Sequence, residues 1–486
     1  MSTPNNELHY LTVTEQARLI ESGQLSPVEL LETYLERIER YDDTLRAWIT
    51  VDREFAMKQA HQAEREIAQG HYRGPLHGLP YGVKDQMHAL GLPTTLGTKV
   101  LDPEEMKPPH DATIISRLHD AGAVLIGKQN LHEFGKGGTI EFPYGQPRNP
   151  WNPAHTASSS STGSGSATAA GQCSFSIGED TGGSVRGPAS CNGVVGLRPT
   201  HGRVSRHGGV MAAYTSDTYG PLTRSVEDCA AVLQAIAGHD PKDPLCIPRE
   251  VPNFSAQLGR DLKGLKLAVV KEIAWGEATH PEVRAAMLQA IQTLREQGAV
   301  VEEISLPLAK WAVPLQLLSA DADVGAYFLA NYLRDRYQRF DVGTRTRLAA
   351  ASLIPASVYN RAMRARVLVR RQVLDALRRY DALITPTNVT PPKLIEATQE
   401  RVDGDQQDVV ARLIERRICH YPFSLSNVPA LSVPAGFSSE GLPLALQIAG
   451  RPFDEATVFR VGHAFQQASA WHRHHPALDT TLKGVA

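Results

Sequence analysis

The sequence predicts an α/β fold, a single large domain in which helices cover both faces of a β-sheet. Short apolar runs bounded by glycine and proline alternate with amphipathic helical segments, a pattern typical of a sheet flanked by helices. Strand-like apolar runs continue to Leu444–Ile448, near the C-terminus, so no position marks a clean domain boundary. We therefore interpret residues 1–486 as one domain.

The first part of this domain, residues 1–70, is predicted to be helical and attached to an α/β core that spans residues 71–486. Ser26 followed by Pro27 is a helix N-cap with proline at the first helical position. The apolar series that follows keeps helical spacing as far as Tyr41. A further helix is predicted over residues 53–69, and it ends at Gly70.

Predicted strands and helices then alternate through the core. The apolar run Leu79–Val83 ends in a charged pair, and a helix over residues 111–122 precedes a buried strand at Ala123–Ile126. Further strands are predicted at residues 265–270, 299–304, 381–386, 431–435 and 444–448. Further helices are predicted at residues 225–238, 281–298 and 342–380, and from Asp454 onward. The Arg-rich face of the segment 342–380 is expected to face solvent.

Composition excludes several functional classes. The chain of 486 residues is 42% hydrophobic and 21% charged, as in ordinary globular proteins. Its 50 Lys+Arg balance 52 Asp+Glu, so no general attraction for nucleic acid or for an anionic membrane is expected. The first thirty residues contain no signal-peptide pattern, and the five cysteines lack CxxC spacing. We therefore expect a cytoplasmic protein.

The most informative stretch is Ser158–Pro199. It begins with a tract of Ser, Thr, Gly and Ala and continues into the run DTGGSVR at Asp180–Arg186. Small residues let backbone approach backbone or a ligand, and they leave N–H groups accessible to a developing oxyanion. A flexible linker is the alternative. The apolar residues Phe175, Ile177 and Leu197 instead indicate buried strands on both sides of the glycines.

Familiar catalytic motifs are absent from the sequence. His132-Glu133 has no second histidine four residues on, and Gly127-Lys128 is followed by Gln129, which excludes HExxH and the P-loop. Ser184 follows two glycines, but Arg186 stands where the GxSxG pattern needs glycine. A Ser-His-Asp hydrolase of the usual kinds is therefore not supported.

Serine and lysine remain as candidate catalytic groups. Ser184 is a candidate nucleophile, because the backbone N–H groups of Thr181, Gly182, Gly183 and Ser184 itself are predicted to converge on a carbonyl oxygen. A serine hydroxyl needs a base, and a lysine that burial holds neutral meets that need. Lys84 directly follows an apolar run. The alternative is that Lys84 only pairs with a carboxylate.

With these residues the chain resembles the amidase signature family. The resemblance covers nearly the whole chain and is densest in GLPYGVKD at 78–85, NPW at 149–151 and residues 178–203. It implies a central mixed sheet with helices on both faces. It also implies that Lys84 is the base, that Ser160, counted back 24 residues from Ser184, relays the proton, and that Ser184 attacks. The family places a cis peptide before the relay serine.

Two departures from the family pattern carry expectations of their own. The usual Gly-Gly-Ser-Ser-Gly-Gly is Ser158-Ser159-Ser160-Ser161-Thr162-Gly163 here, so a cis Ser159–Ser160 bond is a hypothesis. The segment at residues 134–141 corresponds to a stretch that lines the acyl pocket in relatives, which makes Phe134, Gly137 and Gly138 the candidate substrate-binding residues.

We expect an amidase that needs no cofactor and no metal. Its predicted reaction is cleavage of a non-peptide carbon–nitrogen bond in a small amide, anilide or carbamate through an acyl-enzyme. The expected partner is that small molecule, with no nucleic acid and no membrane, and the chain is expected to be a monomer or homodimer. The alternative is the glutaminase-type component of a tRNA-dependent amidotransferase, which would act with partner subunits. A catalytically dead binding protein is disfavoured by the complete set Lys84, Ser160 and Ser184.

Overall fold

The computed structural model describes residues 8–136, 142–211, 213–396 and 406–482, and its described part is built around an 11-stranded sheet with a separate two-stranded ribbon. The strands in chain order are β1 Trp48–Val51, β2 Pro80–Lys84, β3 Val124–Gln129, β4 Arg148–Asn149, β5 Asn152–Thr156, β6 Phe175–Asp180, β7 Val195–Arg198, β8 Thr218–Thr223, β9 Lys266–Val270, β10 Val300–Ile304, β11 Ala382–Pro386, β12 Ala430–Phe437 and β13 Pro443–Gly450.

Helices connect these strands and cover the sheet. In chain order they are α1 Val13–Glu21, α2 Pro27–Leu45, α3 Arg53–Ala68, α4 Thr113–Asp120, α5 Thr162–Ala169, α6 Arg186–Asn192, α7 Val226–Ile236, α8 Lys271–Ala274, α9 Pro281–Glu296, α10 Ala312–Phe328, α11 Arg334–Arg336, α12 Val342–Ser352, α13 Ala356–Arg379, α14 Gln406–Arg417, α15 Tyr421–Ser426, α16 Glu455–Ser469 and α17 Leu478–Thr481.

The large sheet is mixed. Its strand order is β1-β3-β2-β6-β8-β7-β12-β13-β11-β9-β10. Strands β3, β2 and β6 run parallel, as do β11, β9 and β10. The strands between these two groups pair antiparallel. The predicted α/β fold with a central mixed sheet between helices is thus confirmed.

The N-terminal segment is not purely helical, which corrects the prediction for it. Helices α1, α2 and α3 form as expected, and the Ser26 side chain caps α2. Between α2 and α3, however, strand β1 pairs antiparallel with β3 at the edge of the main sheet. Its sequence Trp-Ile-Thr-Val consists of aromatic and β-branched residues, which favour strands. The segment is therefore hydrogen-bonded to the core sheet.

The serine-rich tract forms a buried helix rather than a linker. Helix α5 has only small side chains, and all eight of its residues are buried. A Cβ on Gly163 would overlap the carbonyl oxygen of Ala47, so this position requires glycine. Phe175 and Ile177 on the following strand are fully buried, as predicted. Burial of such a side chain contributes about 1.5–3 kcal/mol.

The Arg-rich segment 342–380 is two helices, α12 and α13. The break falls just before Pro355, which disfavours a helical conformation at the residue preceding it. Most arginines on α13 are exposed, but Arg366 is buried and donates hydrogen bonds to the Leu425 carbonyl and to Thr215. The prediction of a wholly solvated Arg face is therefore wrong at Arg366, which joins α13 to the core.

Candidate active site

Lys84 ends strand β2 inside the protein, with 0% of its surface exposed. Strands β2 and β6 run parallel, with Val83 beside Ile177. Because the carboxyl ends of parallel strands meet at the same edge of a sheet, Lys84 and Glu179 emerge next to each other. This edge of the sheet carries the candidate site.

Ser160 lies directly against Lys84. The lysine Nζ donates a hydrogen bond to Ser160 Oγ at 2.7 Å. The Ser159–Ser160 peptide bond is cis, as hypothesised, although serine and threonine replace the glycines of the family pattern. The next residue, Ser161, holds this loop in place, since its hydroxyl donates to the Glu179 carbonyl and accepts from the Glu179 N–H.

Ser184 lies on the turn between β6 and α6, next to the same loop. Its carbonyl oxygen accepts a hydrogen bond from the Ser161 N–H at 3.2 Å, which ties the two serine-bearing loops together. Ser160 and Ser184 line one cavity, and Lys84 lies behind Ser160. The structure therefore brings together the three residues that were predicted to be catalytic.

The predicted oxyanion donors differ in availability. The Gly183 N–H donates to the Asp180 carboxylate at 2.8 Å, so it is already engaged, contrary to the prediction for this residue. Among the described residues, no acceptor bonds to the N–H groups of Thr181, Gly182 or Ser184. Three of the four predicted donors therefore remain open, and Asp180 shapes the turn that presents them.

Two glycines in this turn have no room for a side chain. A Cβ on Gly182 would overlap the ring of Tyr421, and a Cβ on Gly183 would lie 2.5 Å from Cγ of His420. Gly183 also has a φ of +111°, a conformation that disfavours other residues. Backbone and aromatic side chains therefore approach each other closely beside Ser184.

Asp180 is held between two buried arginines. Its carboxylate lies 3.0 Å from Arg186 and 3.2 Å from Arg198, and all three side chains are inaccessible to solvent. Burial by itself raises the pKa of Asp180, but the two guanidinium groups outweigh it and hold the pKa far below its usual range. A permanently ionised carboxylate thus organises the turn at residues 180–185.

Lys84 also has a carboxylate partner. Its Nζ lies 2.9 Å from Glu179 Oε2, so the alternative that Lys84 pairs with an acid holds alongside its contact with Ser160. Burial is the largest influence on the pKa of Lys84 and lowers it, while the Glu179 carboxylate opposes this shift. The net direction is downward, which favours the neutral amine that a general base needs.

A second buried lysine extends this network. Thr181 Oγ1 lies 2.6 Å from both Glu179 Oε1 and Asp217 Oδ1 and donates its single proton to one of them, while Lys136 contacts both Thr181 and Asp217. The Asp217 carboxylate lies 3.2 Å from Lys136, and together with Glu179 it raises the pKa of Lys136 against the opposing effect of burial. Lys136 is therefore a fixed cation, whereas Lys84 is the lysine that burial drives toward neutrality.

The cavity in front of the two serines encloses about 510 Å³. Its lining carries the predicted donors, two histidines and several charged groups, including Arg347 and Asp321, which form an ion pair of 2.6 Å. The charged and aromatic lining residues are His132, Lys136, Asp321, Arg347, Arg416, Arg417, His420 and Tyr421. The site is thus polar and strongly charged.

Phe134, the one predicted substrate-binding residue that the structure describes, does not line this cavity. It packs against Phe328 and Phe340 in a buried aromatic cluster, and its backbone φ is +55°. Gly137 and Gly138 lie outside the described residues. The neighbours Gly135 and Lys136 do face the site.

Sequence reasoning missed several residues of the site. Glu179 and Lys136 carry a signal that was available, since each is a charged residue inside a segment already singled out. Arg347, Arg417 and Tyr421 lie more than 150 residues from Ser184 in the chain. Only the packing of α12, α14 and α15 around the sheet edge brings such distant segments to the site.

Two features of the described residues bear on other functions. No helix among them is long and apolar enough to cross a membrane. The same residues contain no group of three or more His, Cys, Asp or Glu side chains placed to hold a metal ion. All five cysteines are buried free thiols.

The chain is similar to known proteins over almost its full length. A family model described as Amidase matches residues 29–459. The A subunit of glutamyl-tRNA(Gln) amidotransferase from Moorella thermoacetica is 38% identical over 97% of this chain and 99% of its own length. The solved structure of the same component from Thermotoga maritima is 31% identical, covers 95% of both chains and has a TM-score of 0.79. The peptide amidase of Stenotrophomonas maltophilia is 31% identical over 96% of this chain and 98% of its own, with a TM-score of 0.82.

These similarities correct the predicted function. A self-sufficient hydrolase for a small amide, anilide or carbamate was the expected activity, and that expectation is wrong. The relatives that match at 37–39% identity over nearly the whole chain carry the name of an amidotransferase component instead. Motifs around the serines and the lysine do not separate these subclasses, because one family model matches nearly the whole chain.

Proposed function

This chain belongs to the amidase family, and we propose that within it the chain is the amide-hydrolysing component of a tRNA-dependent amidotransferase. As a family member it acts on carbon–nitrogen bonds other than peptide bonds. The observation that carries the more specific proposal is the full-length match to the A subunit of glutamyl-tRNA(Gln) amidotransferase. The substrate is then the carboxamide of glutamine, and the ammonia released from it serves a partner protein of the assembly.

The first chemical step is attack by Ser184 Oγ on the carboxamide carbon. The proton of Ser184 passes to Ser160 Oγ, while the proton of Ser160 passes to Lys84 Nζ. The hydrogen bond of 2.7 Å between Lys84 and Ser160 supports this path, since proton transfer needs donor and acceptor within hydrogen-bond reach. The open N–H groups of Gly182 and Ser184 stabilise the negative charge that develops on the carbonyl oxygen.

The step depends on a Lys84 amine that is neutral before attack. Burial lowers the pKa of Lys84, and the nearby Lys136 cation lowers it further, which supports this state. Glu179 and Asp217 oppose that shift. Once Lys84 has taken the proton, the same carboxylates stabilise the resulting ammonium group. The network thus favours a lysine that gains and returns one proton in each half-reaction.

Collapse of the tetrahedral intermediate breaks the carbon–nitrogen bond. Lys84 returns its proton through Ser160 to the leaving nitrogen, and ammonia departs while the glutamyl group stays esterified to Ser184. Water then attacks the ester and gives up a proton along the same path, which restores the Ser184 hydroxyl. Glutamine and water are converted to glutamate and ammonia, with no redox change.

The proposal also replaces the expected monomer or homodimer with an assembly of different subunits. It is tested by co-expression of the chain with the other amidotransferase subunits of its own genome, followed by purification on a tag carried by this chain. The purified complex should form glutaminyl-tRNA(Gln) from glutamyl-tRNA(Gln) with either glutamine or ammonium as the nitrogen source. Complexes that contain Ser184→Ala should keep the ammonium-dependent reaction and lose the glutamine-dependent one.

The comparison of glutamine with ammonium distinguishes a damaged complex from a wrong assignment of function. Loss of both reactions in Ser184→Ala would indicate a damaged complex, which Ser439→Ala, an exposed serine outside the cavity, controls for. Failure of the chain to co-purify with any such subunit, or equal glutamine-dependent activity in wild type and Ser184→Ala, would refute the proposed function.

A further inference from the structure

The charged groups of the active-site cavity do not cancel. Lys84 pairs with Glu179, Lys136 pairs with Asp217, and Arg347 pairs with Asp321. The Lys136–Asp217 and Arg347–Asp321 pairs, at 3.2 Å and 2.6 Å, contribute almost no net charge to the cavity, whereas Glu179 keeps one negative charge when Lys84 is neutral. The remaining cations in the lining are Arg416 and Arg417, at the end of helix α14. Among the described residues, neither has an acidic partner within 4 Å.

The two histidines in the lining leave this excess of positive charge unchanged. Burial is the main cause that lowers the pKa of His132 and of His420, each to about 3. Both imidazoles are therefore neutral at physiological pH. The closest acid in sequence, Glu415, lines the neighbouring cavity and forms no ion pair within the described part of the chain. The two charges of Arg416 and Arg417 thus outweigh the single negative charge of Glu179, and the site carries a net positive charge.

Arg417 has an unused donor inside the protein. Its Nε donates to the Tyr421 hydroxyl at 3.1 Å, while its buried Nη1 has no hydrogen-bond partner among the described residues. A buried donor without a partner costs free energy, and the cost is larger for a charged group. Such a group in a cavity is satisfied when a ligand supplies the acceptor.

Tyr421 sets the distance between this arginine and the reacting atoms. Its ring packs on Gly182, where a Cβ would overlap it, and its hydroxyl holds Arg417. Arg417 is therefore separated from the turn that bears Ser184 by one aromatic side chain. Arg417 and Ser184 line the same cavity of about 510 Å³, which accommodates a short aliphatic acid amide.

We propose that Arg417, assisted by Arg416, forms a subsite for a carboxylate carried by the amide substrate. The planar guanidinium fork matches a carboxylate, and the unpartnered Nη1 supplies the open donor. This inference rests on the proposed function, in which that carboxylate is the α-carboxylate of glutamine. The inference also goes beyond the proposed function, because the described lining of the cavity has no unpaired acid to bind the ammonium group of glutamine. The preferred class is an ω-amide of a dicarboxylic acid, with or without an α-amino group.

Binding to a catalytically silent chain tests the subsite apart from the activity. In a Ser184→Ala background, calorimetry should show that glutaramate, the monoamide of glutaric acid, binds at least tenfold more tightly than pentanamide, which lacks the carboxylate. Adding Arg417→Gln should weaken glutaramate binding by about tenfold to a hundredfold, as expected for hydrogen bonds to a charged group, and leave pentanamide unchanged. Arg417→Lys should retain part of the affinity because it keeps the charge without the fork.

Arg412 provides a matched control, because it is exposed on the same helix and absent from the cavity lining. Arg412→Gln removes the same charge and should leave both affinities within about twofold, as for a screened surface charge. Arg416→Gln, also exposed, gives a second test with little risk to folding and should weaken glutaramate binding less than Arg417→Gln. Equal binding of glutaramate in Ser184→Ala and in its Arg417→Gln and Arg416→Gln derivatives would overturn the subsite. A different result would overturn only the proposed function. In that case glutaramate binding would depend on Arg417, but the wild-type complex would not use glutamine as a nitrogen source.

Discussion

Lys84 Nζ lies 2.9 Å from the Glu179 carboxylate, and both side chains are buried where the parallel strands β2 and β6 end. The same nitrogen lies 2.7 Å from Ser160 Oγ. Lys84 therefore contacts a buried carboxylate and also lies on the proposed proton path. Its protonation state is set by the opposition between burial, which lowers its pKa, and Glu179, which raises it. This opposition makes the lysine testable by titration.

Glu179→Gln should move the pH dependence of glutamine hydrolysis. The carboxylate raises the pKa of Lys84, so its removal lowers that pKa and leaves the lysine deprotonated at lower pH. The acidic limb of the kcat/KM profile of the complex should shift down by about 1–3 pH units. Asp217→Asn, which removes a weaker influence of the same sign, should shift the limb in the same direction by less. An unchanged or upward-shifted limb in Glu179→Gln would contradict this account.

Lys84→Met should lower kcat by a factor on the order of 10²–10⁴, the usual contribution of a general base. Lys128→Met is the matched control. Lys128 is also fully buried, on the adjacent strand, and pairs with Asp85 at 2.9 Å, but it touches neither serine. Each variant leaves one buried carboxylate unpaired and should lose about 3–5 kcal/mol of stability. The two variants are compared by kcat per folded molecule. An equal decrease of kcat in both would show that Lys84 acts only by stabilising the fold.

Ser184 should be the residue that a fluorophosphonate modifies. Such reagents capture an activated serine hydroxyl, and Ser184 is the predicted nucleophile. Peptide mapping should place the label on Ser184 and leave Ser158 and Ser159 unlabelled, although both line the same cavity. Ser184→Ala should abolish labelling and lower glutamine hydrolysis at least about a thousandfold. A label that maps to another serine would reassign the nucleophile.

Asp180→Asn should destabilise the protein, because it leaves Arg186 and Arg198 without their shared buried carboxylate. The expected loss is about 3–5 kcal/mol in the free energy of unfolding, measured by chemical denaturation at neutral pH. The folded state depresses the pKa of Asp180, so its contribution is fully present above the ordinary value of 3.8 and is lost only as the pH falls below it.

The control for this prediction is Asp243→Asn, which breaks a buried pair with the single arginine Arg206. It should cost less, because one guanidinium rather than two loses its partner. A smaller effect of Asp180→Asn than of Asp243→Asn would mean that the turn at residues 180–185 does not depend on this ion cluster.

The element pattern of this protein was largely predictable from local sequence. Ser26 before Pro27 marks the start of α2, and the apolar runs around Phe175 and Leu197 are buried strands in the mixed sheet. Strand β1 was not predicted, and this error has a local reason as well. Its four residues lie between two long helices, and a short strand between helices gives little periodic signal.

The sequence by itself determined the class of chemistry. Lys84, Ser160 and Ser184 lie in family motifs, and the small residues around the two serines are not the kind that builds a hydrophobic core. Only the tertiary structure decided what surrounds them. The Gly183 N–H donates to the Asp180 carboxylate, Phe134 packs in an aromatic cluster, and Glu179 pairs with Lys84. Each of these contacts depends on which groups the fold places next to the residue. Hydrogen bonding and burial are settled by the packing of segments far apart in the chain, and periodicity along the chain carries no record of that packing.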